Sequence, residues 1–371
     1  MNRIRTKIAA LSLCFLTVAS GFAAAEELIQ AAILLDTSSS MDGLIDQAKT
    51  QLWKIVNELA LARRNGVSPR LEVALYEYGN DGLQQETGYI RRVLPLTKDL
   101  DKVSEALFAL TTNGGYEYCG TVISRAVHDL DWNTDPSVLK LIFIAGNEEF
   151  TQGSIDFHVS GKEAITAGII VNTIFCGNHE EGVRTFWKEG ADIADGKYVS
   201  IDHNAALAAV TAPQDDEIMR LNRELNGTYV PYGPEGEDGR RLQLAQDDNA
   251  AGTSSESMVD RSIAKSKIQY SNERWDLVDA YQSGAVNLSE VPEEALPEDL
   301  KGKTPAERKA YLEEKTRERE AIRERIRGLE TERRTYIEAE RQKMSQENTL
   351  DTAVITMIRE QAVEKEFSFE E

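Results

Sequence analysis

The stretch that most constrains this chain is Ile33-Leu34-Leu35-Asp36-Thr37-Ser38-Ser39-Ser40-Met41, where an apolar run stops at Asp-x-Ser-x-Ser. Ala31 to Leu35 contains no polar residue, the pattern of a strand covered on both faces, as in a parallel sheet. Such a strand delivers Asp36, Ser38 and Ser40 at its carboxyl end, the edge at which open α/β sheets bind ligands. One carboxylate and two hydroxyls are hard oxygen donors and suit a small divalent cation. Mg²⁺ fits first, because it takes few protein ligands and keeps water or a partner's oxygen at its other positions. Asp and Ser after a strand are equally the residues of a turn and a helix N-cap. This stretch alone leaves both readings open.

The surrounding pattern is that of a sheet wound with helices. Strand signals fall at Leu28 to Leu35, Leu71 to Tyr78, Tyr89 to Leu96, Val138 to Ala145, Ile169 to Cys176 and Lys197 to Ile201. Between them lie helical stretches: Leu44 to Arg63 with Ile45, Ala48, Leu52, Ile55, Val56 and Leu59 on one stripe, then Asp101 to Leu110, Thr121 to Leu130, Asp156 to Ala167 and Glu181 to Ala194; a short one starts at Asn204. The second and third strands are joined only by a turn-rich link at Gly79-Asn80-Asp81-Gly82, so the third is expected to be an antiparallel edge. Six strands with intervening helices make a doubly wound, mostly parallel sheet.

Beyond Pro213 the chain reads as mainly helical. Helices are expected at Asp215 to Leu225, Met258 to Tyr270 and Glu273 to Gln282, with Tyr229 to Gly239 a loop. Ala245 to Ser257 is polar and reads as flexible, and Val286 to Gly302 as an acidic linker. Thr304-Pro305-Ala306-Glu307 opens a long Glu/Arg/Lys-rich helix with a capping box and a proline in its first turn. Ile322, Ile326, Leu329, Tyr336 and Met344 sit near heptad spacing, which leaves a coiled coil and a solvated single helix both open. Leu350, Val354, Met357, Ile358 and Phe367 give the last stretch an apolar side that could pack on a neighbour.

The first 25 residues have the form of an export signal: Arg3, Arg5 and Lys7, an apolar run from Ile8 to Val18, and Ala23-Ala24-Ala25 before Glu26. Cys14, preceded by Leu13, lacks the small residue that lipid attachment would require. No later stretch is long and apolar enough to cross a bilayer. An exported protein, periplasmic or secreted, is expected. Cleavage leaves two cysteines, Cys119 and Cys176, which an oxidising compartment would allow to pair and which could equally be separate small apolar side chains. The domain boundaries expected are 1–25 for the signal, 26–212 for the α/β domain, 213–303 for a partly helical linker region and 304–371 for the charged helix with its amphipathic end. The formal net charge of −21 disfavours nucleic acid and anionic membranes as partners and favours cations.

Taken together, Asp36-x-Ser38-x-Ser40 and the element order over residues 27 to 212 resemble a von Willebrand factor type A domain. The resemblance implies a metal-ion-dependent adhesion site in which Asp36, Ser38, Ser40 and Thr121, in the glycine-led loop Gly114-Gly115-Tyr116-Glu117-Tyr118-Cys119-Gly120-Thr121, hold Mg²⁺, Mn²⁺ or Ca²⁺. An acidic side chain of a partner protein would complete the coordination. Read by itself, Thr121 is an ordinary N-cap. The chain departs from the family's pattern after the fourth long strand, where Gly146 stands at the position of a usual Asp. Asn147, Glu148 or Glu117 could substitute for it, while Glu148 and Glu149 are also simple surface acids. In this fold Cys119 and Cys176 would both lie near the site, where a disulfide could brace it.

Other chemistries find no support in the sequence. His128, His158, His179 and His203 have no metal-ligand spacing. Ser38 to Ser40 lack a nucleophile elbow, and no phosphate loop is present. Asn226-Gly227-Thr228 matches a glycosylation acceptor and equally a helix stop. A non-enzymatic binding module is expected, with the C-terminal helical arm supplying a second contact or self-association. The alternative is a metal-free assembly protein acting through that helical arm.

Overall fold

The computed structural model describes residues 27–201, 210–343 and 350–369. The expected signal segment, the short helix from Asn204 and Met344 lie outside the described residues.

Six strands form the main sheet: β1 (Leu28–Asp36), β3 (Arg70–Tyr78), β4 (Ile90–Thr97), β5 (Leu139–Gly146), β6 (Ile170–Phe175) and β7 (Tyr198–Ser200). A short β2 (Ala62–Arg63) lies outside it. The order is β4-β3-β1-β5-β6-β7. Only β4 runs antiparallel, at the edge beside β3; the connection, residues 79–89 with a 3-10 turn at Gln85–Thr87, carries no crossover helix of the kind a parallel neighbour needs. β1 is central, buried along its whole length, and pairs in parallel with β3 and β5.

Helices cover both faces. The first five are α1 (Ile45–Leu59), α2 (Leu100–Ala109), α3 (Cys119–Asp129), α4 (Phe157–Thr166) and α5 (His179–Arg184), followed by α6 (Trp187–Ile193). The single helix expected over 181–194 is thus two, broken at Phe186, whose backbone is left-handed at φ +71°. Helices α3, α4 and α6 pack with Ala32, Leu34, Ile142 and Ile144 on one face; α1 and α2 pack with Ile33, Leu35, Leu141 and Phe143 on the other.

The second half contains α7 (Asp215–Asn226), α8 (Gly236–Thr253), α9 (Ser255–Lys265), α10 (Leu277–Gln282), α11 (Pro305–Lys343) and α12 (Leu350–Val363), then a two-residue strand, β8 (Ser368–Phe369). The segment expected to be flexible at 245–257 is instead helical. Its polar residues are the reason: Gln246 accepts from the Ser104 hydroxyl at 3.1 Å, and Asp247 receives Arg261 and Lys265 at 2.6 and 2.8 Å. Arg261 also reaches Asp101 of α2 at 2.8 Å, and Tyr270 donates to the same carboxylate at 2.6 Å. This buried cluster ties the helical layer to the sheet domain.

The capping box at the start of α11 forms, with Thr304 N–H donating to Glu307 and Glu307 N–H donating to Thr304. The rest of α11 is not an isolated arm but packs against other helices of the chain. Ile326 is buried against α7 and α9, with Ile322 and Leu329 packed beside it, and Leu312 is buried with Leu277 and Leu300. Arg319, fully buried, bridges Asp276 and Asp279 at 2.6 and 2.5 Å and lies over the Tyr229 ring. Ile322, Ile326 and Leu329 of the apolar stripe are therefore used inside the molecule.

The last segment goes further. Val354, Met357, Ile358, Ala362 and Phe367 are buried in the same cluster as Ile33, Leu35, Val56 and Ile174. Gln361 and Asn172 exchange two amide hydrogen bonds of 2.7 and 2.9 Å, and β8 pairs with β2. The chain's end supplies a helix of the α/β domain itself.

Candidate metal centre

Hydrophobic burial sets β1 in the middle of the sheet, so its carboxyl end opens onto the edge where the loops after β3 and β5 and the start of α3 converge. Asp36 pairs in register with Tyr78 and is fully buried. Its Oδ1 accepts the Ser38 N–H at 2.8 Å. The Ser38 and Ser40 hydroxyls lie 2.8 Å apart, and Ser40 donates to Asn147 Oδ1 at 2.8 Å while Asn147 Nδ2 donates back to the Ser40 carbonyl at 2.9 Å. Asn147 thus orients the second serine of the motif from the β5 side.

Of the buried side-chain polar atoms that have no hydrogen-bond partner, two belong to this site: Asp36 Oδ2 and Thr121 Oγ1. Thr121 sits in the first turn of α3, two residues past Cys119, whose thiol lies 3.9 Å from the Tyr78 hydroxyl. Orphaned buried oxygens are costly, on the order of 1–3 kcal/mol each, and call for an explanation such as an ion. Burial pushes the Asp36 carboxyl up to about 7, with Glu117 adding to the rise and the Ser38 N–H opposing it. The Asn147 N–H also lies near enough to favour the ionised form. Glu117 is buried beside Ser38 and is itself pushed up to about 6, by desolvation and then by Glu148. Two carboxylates held above their ordinary range and a set of hydroxyl oxygens form a site short of positive charge. These donors fit a hard cation. No group of three or more His, Cys, Asp or Glu side chains that could hold a metal occurs among the described residues, so hydroxyls would have to carry much of the coordination.

The structure gives the departure at Gly146 a steric cause. A Cβ there would lie 2.6 Å from the Tyr78 hydroxyl and 3.0 Å from Asp36 Oδ2. Tyr78, fully buried and donating to the Ala145 carbonyl at 3.0 Å, fills the space a side chain would need. Gly79 meets the carboxylate from the other side: at φ +79°, its own Cβ would stand 2.7 Å from Asp36 Oδ1. Asp36 is thus clasped between two glycines and a tyrosine. Gly146→Ala is expected to lose about 1–3 kcal/mol through overpacking, and Gly146→Asp at least as much, rather than to restore a missing ligand. Urea denaturation of both variants checks this; unchanged midpoints would refute it.

Among the other residues singled out, Glu148 is half-buried near Glu117, and its carbonyl accepts the Trp187 indole N–H at 2.7 Å. Glu149 is exposed. Of the two readings of the cysteines, the structure shows separate side chains, not a disulfide. Cys119 and Cys176 are free and buried, Cys119 in the core layer of α3 and Cys176 in that of α1, on opposite faces of the sheet. Tyr78 is the site residue that sequence reasoning missed. Its place in an apolar strand is that of a core residue, and nothing local marks the glycine 68 positions later as its steric partner.

No family model matches the sequence, and no curated protein matches it. Solved structures do. BatB, a conserved hypothetical protein from Bacteroides thetaiotaomicron, aligns at 18% identity over 47% of this chain and 90% of its own, with a TM-score of 0.37. The SpRpn10 VWA domain aligns at 17% identity over 50% of this chain and 100% of its own, also with a TM-score of 0.37. A mussel byssus protein, proximal thread matrix protein 1, solved with a zinc-occupied MIDAS motif, aligns at 11% identity over 49% of this chain and 43% of its own, with a TM-score of 0.35.

Proposed function

We propose that this chain, whose first half has the von Willebrand factor type A fold, is an exported, non-enzymatic binding module that grips a partner protein through a divalent cation. Asp36, Ser38, Ser40 and Thr121 would hold the ion, with Asn147 orienting Ser40 and Glu117 close by. The reading rests on one observation, the buried and unpartnered Asp36 Oδ2 and Thr121 Oγ1 at the carboxyl end of the central strand. Mg²⁺ suits the donors best, since only one carboxylate is fully committed and several positions stay open for water or a partner's oxygen. The ion supplies a Lewis-acidic point at which an acidic side chain of the partner can bind. Asp36 and Ser38 would bury that point, Asn147 would fix the Ser40 hydroxyl, and Ser40, exposed, would mark the side open to solvent. No helix among the described residues is long and apolar enough to cross a membrane.

A cation that binds only the folded state must raise the unfolding midpoint. Thermal unfolding in chelator, then with Mg²⁺, Mn²⁺ or Ca²⁺ added, is expected to show a rise of several degrees, absent in Asp36→Ala. At a hundredfold excess over Kd the stabilisation is about 2.7 kcal/mol. A midpoint indifferent to every cation would sink the proposal. The metal-free alternative, in which the helical region acts as a detachable arm, loses its simplest test: deleting 304–371 would also remove core residues of the α/β domain.

A further inference from the structure

Three tyrosines stand beside the candidate metal centre and take no part in it. Tyr116 and Tyr118 stack at 6.2 Å with 23° between their planes, and Tyr89 meets them at 5.9 and 6.0 Å. Tyr116 is 59% exposed, far more than a tyrosine placed for packing. Tyr89 has a left-handed backbone at φ +55°, directly after Gly88 at φ +74°. For a bulky side chain that conformation costs on the order of 1 kcal/mol or more and persists only where the surroundings enforce it. The platform borders the metal centre directly. Glu117, between the two stacked rings, turns inward toward Gly79 and Ser38, and a Cβ at Gly88 would stand 3.4 Å from the Tyr118 ring and 3.6 Å from Thr121.

The charge around these rings selects what can lie on them. Asp81 and Glu86 stand close enough to Tyr89 to add to the burial that raises its hydroxyl pKa. Glu117, buried and set between the platform's two stacked tyrosines in sequence, lies on the side of the metal centre. An exposed aromatic face with the carboxylates of Asp81 and Glu86 beside it suits a guanidinium or an ammonium, which the ring quadrupole and the acids both attract. It disfavours an apolar or acidic residue, which would desolvate or repel the rim.

We propose that the partner segment carries an arginine or lysine a few residues from its metal-binding carboxylate, and that this basic side chain lies on the Tyr89–Tyr116–Tyr118 platform. The inference rests on the proposed cation site for the acidic half of the contact, whereas the basic half rests on the tyrosines alone. The platform therefore acts as a specificity element: the ion accepts any carboxylate, and the tyrosines choose among them.

The test uses the full mature chain and fluorescent peptides that each carry one Asp, with Arg, Lys, Ala, Leu or Glu at successive offsets on either side. Binding is read by anisotropy in Mg²⁺ and in chelator. Peptides with Arg or Lys at a preferred offset are expected to bind about tenfold more tightly than their Ala counterparts. That preference should vanish in Tyr116→Ala and persist in Tyr116→Phe, which keeps the ring. Chelator should weaken all peptides alike. Equal binding of the Arg and Ala peptides, tighter binding of the Leu or Glu peptides, or no binding by any peptide while Mg²⁺ still raises the unfolding midpoint overturns the platform and leaves the cation site standing. Arg-dependent binding that ignores chelator but is lost in Tyr116→Ala keeps the platform and overturns the cation reading.

Discussion

A chain ended at residue 349 is expected to lose the cooperative unfolding transition of the α/β domain, although every strand of the main sheet and the whole candidate site would still be present. The deleted α12 and β8 take Val354, Met357, Ile358 and Phe367 out of the core that holds Ile33, Leu35 and Ile174. Each large side chain lost from a packed core costs roughly 2–5 kcal/mol, and here there is no neighbour to collapse into the space. Asn172, fully buried between β5 and β7, would also lose both hydrogen bonds to Gln361, a further penalty of about 1–3 kcal/mol. The sum is comparable to the roughly 5–15 kcal/mol that stabilises an ordinary domain. Circular dichroism during thermal unfolding measures this directly. A sharp transition near the full-length midpoint would show that the C-terminal segment is an ornament on a self-sufficient domain. A milder variant, Ile358→Ala, should keep the transition and lower its midpoint.

Without a cation, the protein is expected to become less stable as pH rises from about 4 to about 7, the reverse of the usual acid-side behaviour. The sign follows from Asp36. Its carboxyl is raised from an ordinary value of 3.8 to about 7 in the folded chain, so the folded state holds its proton where the unfolded chain has released it. The stabilising contribution is complete below pH 3.8 and is lost as pH rises through 7. A shift of about three units corresponds to roughly 4 kcal/mol between the two limits. Glu117, raised to about 6, adds in the same direction. A saturating cation should flatten the slope, because the ionised carboxylate then has its counter-charge. Urea midpoints in chelator and in Mg²⁺, at pH 4.5, 6 and 7.5 as suitable settings for that window, make the comparison, with Asp36→Asn as the control. If Asp36→Asn shows the same slope as the natural protein in chelator, the carboxylate is not its source.

These two expectations divide along what could be read from the chain. The α/β pattern was legible because each element carries its own period: Ala31 to Leu35 is apolar throughout, α1 has its stripe, and the turn-rich connection from Gly79 holds no crossover helix, which points to an antiparallel neighbour. Asp36, Ser38 and Ser40 were legible for the same local reason, since the end of a strand and the turn after it fix where three side chains go. Thr304 and Glu307 form their capping box three residues apart. The rest is non-local. Tyr78 closes the space beside Gly146, Cys119 and Cys176 fall on opposite faces of one sheet, and Asp101 finds Arg261 across 160 positions. The polar run around Gln246 and Asp247 reads as flexible until the partners that bury it are known. Above all, α12 packs into a core begun more than three hundred residues earlier. An amphipathic helix announces in sequence that it must cover something. Only the folded chain decides what, because the choice depends on which apolar face the other elements have left open.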